Sequence, residues 1–252
     1  MKLGILATGI TPDDLQAQYG SYADMFMRLF DSVQGNFDYQ VFEARLNQLP
    51  ESPLDCDAWI ITGSKHSVYE DLGWIHNLKA FIREIVQTEQ PLVGICFGHQ
   101  LIAEALGGKV EKYSGGWRLG IHQYQTQGSL QDYLKSQLKN QANQPGTHFQ
   151  LNAVHQDQVV KLPSENGLTP EVIAQSEFCQ YAGLSYKNGQ IVSLQAHPEF
   201  TLTFETDLLQ NRAGQGIPEQ PALEAAKGTE TEGASVDSPE IAKWLVGVLK
   251  GK

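Results

Sequence analysis

Short apolar runs bounded by turn residues recur along the chain and alternate with longer stretches whose apolar positions fall three or four residues apart. KLGILATG from Lys2, FDYQVFEA from Phe37, DAWIITG from Asp57 and LVGI from Leu92 read as strands. Between the first two, Tyr22, Met25, Phe26, Leu29, Phe30 and Val33 sit at helical spacing. Ser21 is placed to cap that helix, after a polar loop through Gly20. Residues 72 to 87 carry Trp74, Ile75, Leu78, Phe81, Ile82 and Ile85 on one broad face, so they form a second helix. A third follows Gln100, with Leu101, Ile102, Ala105 and Leu106 apolar and Gly107 as a stop.

The second half of the chain is richer in short strands. KVEKY and GIHQYQ are strand candidates joined by a hairpin turn through residues 114–119, and residues 127–146 read as a polar helix-plus-loop insertion. FQLNAVHQDQVVKLP and EVIAQS are further strands. AGLSYKNGQIVSLQAH is a hairpin turning at Lys187, Asn188 and Gly189, where Asn-Gly accepts positive φ. A short helix from Thr203 to Gln210 precedes residues 211–237. That segment is rich in Gly, Pro, Glu, Gln and Thr and reads as a mobile, lid-like loop with one helical turn at Leu223 to Lys227. Ser238, Pro239 and Glu240 then open a closing helix as cap, first-turn proline and first-turn acid, docked through Ile241, Trp244, Leu245, Val248 and Leu249. Strands alternating with helices in this way predict an α/β fold, a three-layer, doubly wound, mostly parallel sheet. Without internal repeat or linker, residues 1–252 are expected to form a single domain.

The chemistry concentrates where LVGI meets the third helix. Gly94, Cys96 and Gly98 spell G-x-C-x-G, the cysteine form of a nucleophile elbow, in which flanking glycines remove side chains that would collide with the neighbouring strand and helix. The helix N-terminus then points its partial positive charge at Cys96, which favours the attacking thiolate. Alone, this pattern also fits an inert buried cysteine. A second motif, QAHPEF, changes that balance. His197 ends an apolar strand and Glu199 follows two residues later, so an imidazole with a carboxylate to fix its tautomer is available as a base. Cys96, His197 and Glu199 are the predicted triad.

With GICFGHQLIAEALGGKVEK and QAHPEF as the carriers, and ITGS and HQDQV as weaker matches, residues 1 to 204 resemble the class I, triad-type glutamine amidotransferases. Within them the likeness is to stand-alone proteins similar to the glutaminase domain of GMP synthase. Cysteine-elbow proteins of the DJ-1 type usually place histidine after the nucleophile; here that residue is Phe97. The resemblance implies a flavodoxin-like sheet with backbone amides of Gly63 and Phe97 as the oxyanion hole. The loop after the third strand departs from the family by reading Gly-Ser-Lys where Gly-Gly-Pro is common, which leaves the inward-facing amide open. Gln100, Ser64, Trp117 and His155 are the implied substrate contacts, although Trp117 could simply pack and His155 could be a satisfied edge histidine. Ser114-Gly115-Gly116 begins like the pyrophosphate loop of the synthetase half. It continues with Trp117 and Arg118 instead of Asp and Ser and follows a charged strand, so no nucleotide site is expected there.

The implied activity is cleavage of the glutamine side-chain amide through a γ-glutamyl thioester, releasing ammonia and glutamate. Its alternatives are a free-standing γ-glutamyl peptidase and a catalytically silent binding protein on the same fold. No metal or organic cofactor is expected, because polarisation would come from backbone dipoles. A separate synthetase subunit is the implied partner under the first activity and none is needed under the second.

Composition narrows the setting. Lys plus Arg total 18 against 29 Asp plus Glu, a net charge of −11, and no stretch is basic, which argues against nucleic acid or an anionic membrane surface as partner. Cys56, Cys96 and Cys179 are odd in number and lack metal-ligand spacing, as expected of a cytoplasmic protein. MKLGILATGI is too short an apolar stretch for a signal peptide and reads as the first core strand.

Overall fold

A computed structural model of the protein describes residues 1–137, 147–164 and 168–251. The first half alternates strands and helices: β1 (Lys2–Leu6), α1 (Asp13–Tyr19), α2 (Tyr22–Ser32), β2 (Asp38–Phe42), β3 (Ala58–Ile61), α3 (Gly73–Val86), β4 (Leu92–Ile95) and α4 (Phe97–Ala105). The second half is strand-rich: β5 (Lys109–Lys112), β6 (Arg118–Thr126), α5 (Gly128–Gln137), β7 (His148–His155), β8 (Asp157–Lys161), β9 (Glu171–Gln175), β10 (Gly183–Tyr186) and β11 (Ile191–Leu194). Three helices close it, α6 (Leu202–Arg212), α7 (Glu219–Thr229) and α8 (Ser238–Leu249).

Nine strands make one sheet in the order β2-β1-β3-β4-β11-β10-β9-β6-β7. The pairs from β2 to β11 are parallel and those from β11 to β7 antiparallel. Strands buried on both faces read as unbroken apolar runs. Along β3, Ile60 enters one apolar layer with Phe26, Phe30 and Leu245, while Trp59 and Ile61 enter the other with Ile75, Ile82 and Leu101. These are the three layers expected, with α2, α5 and α8 on one face and α3 and α4 on the other.

Several elements differ from the sequence expectation. Residues 13–19, read as loop, form α1, capped at its end by Gly20 with φ 71°. The lid-like reading of 211–237 is corrected by α7, eleven residues long, whose Ala222 and Ala226 are buried against α6. Small side chains let the two helices approach closely, so little apolar bulk marked the packing face. Strands β5 and β6 do not form the expected hairpin: β5 pairs with β8 in a separate two-stranded sheet, and β6 pairs with β7 and β9. Ser238 is the first residue of α8 and the N-cap position belongs to Asp237, whose carboxylate accepts the Gln150 amide at 2.7 Å. Of the polar insertion at 127–146, α5 is seen, and 138–146 lie outside the described residues.

The parallel register brings the ends of β1, β3, β4 and β11 to one rim, carrying Thr8, Gly63, Cys96 and His197 respectively. Carboxyl ends of parallel strands are where open α/β sheets bind ligands.

Candidate active site

Cys96 follows β4 directly, with φ 53° and ψ −101°, a conformation L residues rarely adopt. Its amide donates to the Leu194 carbonyl at 2.8 Å, tying the turn to β11, and its carbonyl accepts the Gln100 amide at 3.1 Å as α4 begins. The flanking glycines are required by space. A Cβ on Gly94 would lie 2.7 Å from the Gly98 backbone, and one on Gly98 would lie 2.5 Å from the Ile61 carbonyl oxygen. The sequence pattern therefore produces the sharp strand-to-helix turn expected of it, and Cys96 is 6% exposed.

His197 reaches Cys96 because β11 runs parallel beside β4, with Leu194 opposite Ile95. The chain beyond is fixed by the His197 amide donating to the Asn152 carbonyl at 2.9 Å. Nδ1 lies 2.8 Å from Glu199 Oε1, and Cys96 lies close by: a Cβ on Gly63 would be 2.9 Å from the imidazole Cε1 and 3.8 Å from the Cys96 Cβ. With Nδ1 committed to the carboxylate, Nε2 is the nitrogen left for sulfur. Burial alone would push the imidazole down, but the charges of Glu199 and Cys96 and the Glu199 hydrogen bond hold His197 well above its ordinary value. Phe200 stacks on the ring with centroids 4.0 Å apart. A Cβ on Gly63 would stand 2.9 Å from His197 Cε1, so the base is held between two walls. The three predicted triad residues are together.

The loop after β3 is oriented by Thr8. Its hydroxyl lies 2.9 Å from the Thr62 carbonyl oxygen and 3.0 Å from that of Gly63, and its amide donates to Thr62 Oγ1 at 3.0 Å. In trans peptides the N–H points opposite the C=O, so the amides of Gly63 and Ser64 face away from Thr8. The loop lies against the elbow, since a Cβ on Gly63 would be 3.8 Å from the Cys96 Cβ. Phe97 opens α4, so its amide is one of the N-terminal donors a helix leaves without an intrahelical partner.

A cavity of about 310 Å³ opens beside Cys96 and His197. All four of the expected contacts, Ser64, Gln100, Trp117 and His155, line it. Gln100 is partly spent on architecture: its NH₂ donates to the Asp157 carbonyl at 2.9 Å and to Gln195 Oε1 at 3.1 Å. His155 donates from Nδ1 to the Asp157 carbonyl at 3.1 Å, and burial pushes it down to about 3, so it is a neutral wall. Trp117 packs with Leu209 and Ile217. Sequence reading missed Tyr22, Lys65, Lys112, Arg212 and Ile217, which also line the cavity from loops and from strand and helix ends distant in the chain. Cys56 and Cys179 are buried elsewhere, their thiols raised by burial to about 11 and about 12. Among the described residues no cluster of three or more His, Cys, Asp or Glu is placed to hold a metal ion, and no helix is long and apolar enough to cross a membrane.

Comparison with known proteins fits this geometry. The family model for glutamine amidotransferase class-I matches residues 18–214. The chain is 28% identical to gamma-glutamyl peptidase 4 of Arabidopsis thaliana over 87% of its own length and 84% of that protein's. It is 29% identical to one of the subunits of the glutamine-hydrolyzing GMP synthase of Methanopyrus kandleri, covering 72% of this chain and 89% of the other. In fold it is similar to a glutamine amidotransferase from Thermotoga maritima, with a TM-score of 0.67 at 18% identity over 98% of this chain and 96% of that one.

Proposed function

Because the chain belongs to the glutamine amidotransferase class-I family, we propose that it hydrolyses the amide bond at the γ-carbonyl of a glutamyl group, with the side-chain amide of glutamine as the smallest substrate. The observation that carries this reading is the pairing of His197 with Glu199 at 2.8 Å beside Cys96, with cysteine and histidine both lining a cavity large enough for such a molecule.

Cys96 sulfur attacks the γ-carbonyl carbon, and its proton passes to His197 Nε2. Negative charge on the carbonyl oxygen is received by amides of the Gly63–Ser64 loop and of Phe97, which need no reorganisation because Thr8 and the start of α4 already fix them. The C–N bond breaks, the departing amine takes the imidazolium proton, and a γ-glutamyl thioester remains. His197 then removes a proton from water, which cleaves the thioester to glutamate and restores the thiol. Every charge that develops is met by a side chain or a peptide dipole of this chain.

Two versions share this chemistry. In one the released ammonia serves a separate synthetase chain, as the name of the Methanopyrus kandleri relative suggests. In the other the protein is a free-standing γ-glutamyl hydrolase, as the name of the Arabidopsis thaliana relative suggests. Three buried, unpaired cysteines suit a reducing, cytoplasmic setting for either. The test is to assay the protein alone for ammonia from glutamine and for amino acid from a γ-glutamyl dipeptide, beside Cys96→Ala. Turnover abolished in the variant is expected. No turnover of either substrate overturns the reading, and brisk peptide cleavage with negligible glutaminase removes the synthetase version.

A further inference from the structure

Three cations converge on the cavity of a chain whose net charge is −11: Lys65 from the loop after β3, Lys112 at the end of β5 and Arg212 at the end of α6. The ion pairs among the described residues involve other side chains, so none of the three is neutralised at close range. Against these three stand two carboxylates, Asp157 on the wall, met only by the neutral hydroxyls of Ser67 at 2.5 Å and Tyr69 at 3.1 Å, and Glu199 behind His197 at 2.8 Å. Of the wall histidines, His155 is neutral and His66 faces Glu70 at 2.9 Å. When Cys96 and His197 exchange their proton, their charges cancel.

Glutamine carries one ammonium and one carboxylate, for a net charge of zero. Three cations against two carboxylates leave the site one positive charge in excess, which glutamine does not offset. A γ-glutamyl amino acid carries one ammonium and two carboxylates, and its second carboxylate lies on the leaving side of the scissile bond. We propose, resting on the γ-glutamyl reading above, that the preferred substrates are γ-glutamyl amino acids and that Arg212 holds the carboxylate of the residue released. Arg212 is half-buried, and its planar fork matches a carboxylate in a way the two exposed lysines do not. It enters beside Ile217 and Trp117, which supply apolar walls for the leaving residue's side chain. Lys65 and Lys112 raise the local concentration of an anionic substrate. The bond chemistry is unchanged: the C–N bond breaks, and the free amino acid leaves with the proton from His197.

The test compares γ-glutamylalanine with γ-glutamylalaninamide, which differ in one negative charge on the leaving side. For the native protein kcat/KM is expected to favour the acid by about tenfold, the size of one charge-assisted hydrogen bond. In Arg212→Gln that ratio is expected to fall to near one, and in the native protein it should shrink as salt rises. A native ratio near one overturns the proposal. So does a ratio that survives in Arg212→Gln while overall kcat/KM falls, which would place Arg212 on the glutamyl half. Turnover of glutamine with neither dipeptide cleaved overturns the proposal and leaves the parent reading standing; inertness toward all three compounds overturns both.

Discussion

The ring of Phe200 lies flat on the imidazole of His197, with the planes 4° apart and the centroids 4.0 Å apart. An aromatic face is electrostatically negative, so this contact both holds the ring plane and favours the protonated form that arises during turnover. Replacing Phe200 by Leu keeps apolar volume but removes the flat face. The expected result is a kcat lowered about tenfold with KM little changed, at a stability cost of about 1–2 kcal/mol. Steady-state kinetics with a denaturant melt checks this; an unchanged kcat would show that the stack is only packing.

Glu199 is the first of the partners that raise His197 against the opposing effect of burial. Glu199→Gln keeps a hydrogen-bond acceptor for Nδ1 and removes the charge. The imidazolium then loses its proton at lower pH, so the alkaline limb of the kcat profile moves in the acid direction and kcat falls by about 10²-fold or more. A pH–rate profile reads both effects. A limb that stays in place would assign the titration to another group.

Thr8 is buried, and its hydroxyl and amide bond to the loop that carries the expected oxyanion donors. In Thr8→Val the Thr62 carbonyl loses its hydroxyl partner and the Gly63 carbonyl keeps only the Thr62 hydroxyl at 3.2 Å, which frees the loop to rotate its amides away from Cys96. Turnover should fall about tenfold, with about 1–3 kcal/mol of stability lost. The Thr8→Ser variant keeps the hydroxyl and should recover most of the rate. Failure of Ser to rescue would mean that the Thr8 methyl, and not its hydrogen bonds, is what matters.

Glu205 on α6 is fully buried behind the site, accepts the Gly120 amide at 3.0 Å, and is raised by burial from 4.5 to about 8. Between those two values the folded state keeps a proton that the unfolded chain has lost. Stability contributed by this group is therefore full below about 4.5 and declines as pH rises toward about 8. Glu205→Gln keeps the acceptor and cannot ionise. Its stability relative to the native protein is expected to be about 1–3 kcal/mol more favourable at pH 8 than at pH 5. Parallel urea melts at the two pH values test the sign, and a difference that does not change with pH would contradict it.

What could be read before folding was what lies close together in the chain. The elbow is a matter of two glycines and a cysteine within five residues, and the base and its carboxylate are two residues apart. The parallel strands announced themselves because burial on both faces demands continuous apolar runs. Only one turn of helix α7, at Leu223 to Lys227, was legible, because its packing face is made of Ala222 and Ala226, with Pro221 and Gly228 inside it as apparent breakers. Helix α1 buries Leu15 alone among its residues. The turn at 114–119 was misjudged because strand pairing is non-local: Val110 is the one buried residue of β5, and nothing in its neighbourhood says that β8 will be its partner. The cavity's charge was invisible for the same reason, since Lys65, Lys112 and Arg212 meet only after the sheet has formed.

The central claim is that Cys96 is the nucleophile, and labelling tests it most directly. The native protein is incubated with an electrophilic glutamine analogue and digested, and the modified cysteine is located by peptide mass mapping. One equivalent on Cys96, with Cys56 and Cys179 unmodified and the label prevented by excess glutamine, is the predicted result. No incorporation, or incorporation at Cys56 or Cys179 with Cys96 untouched, would contradict it.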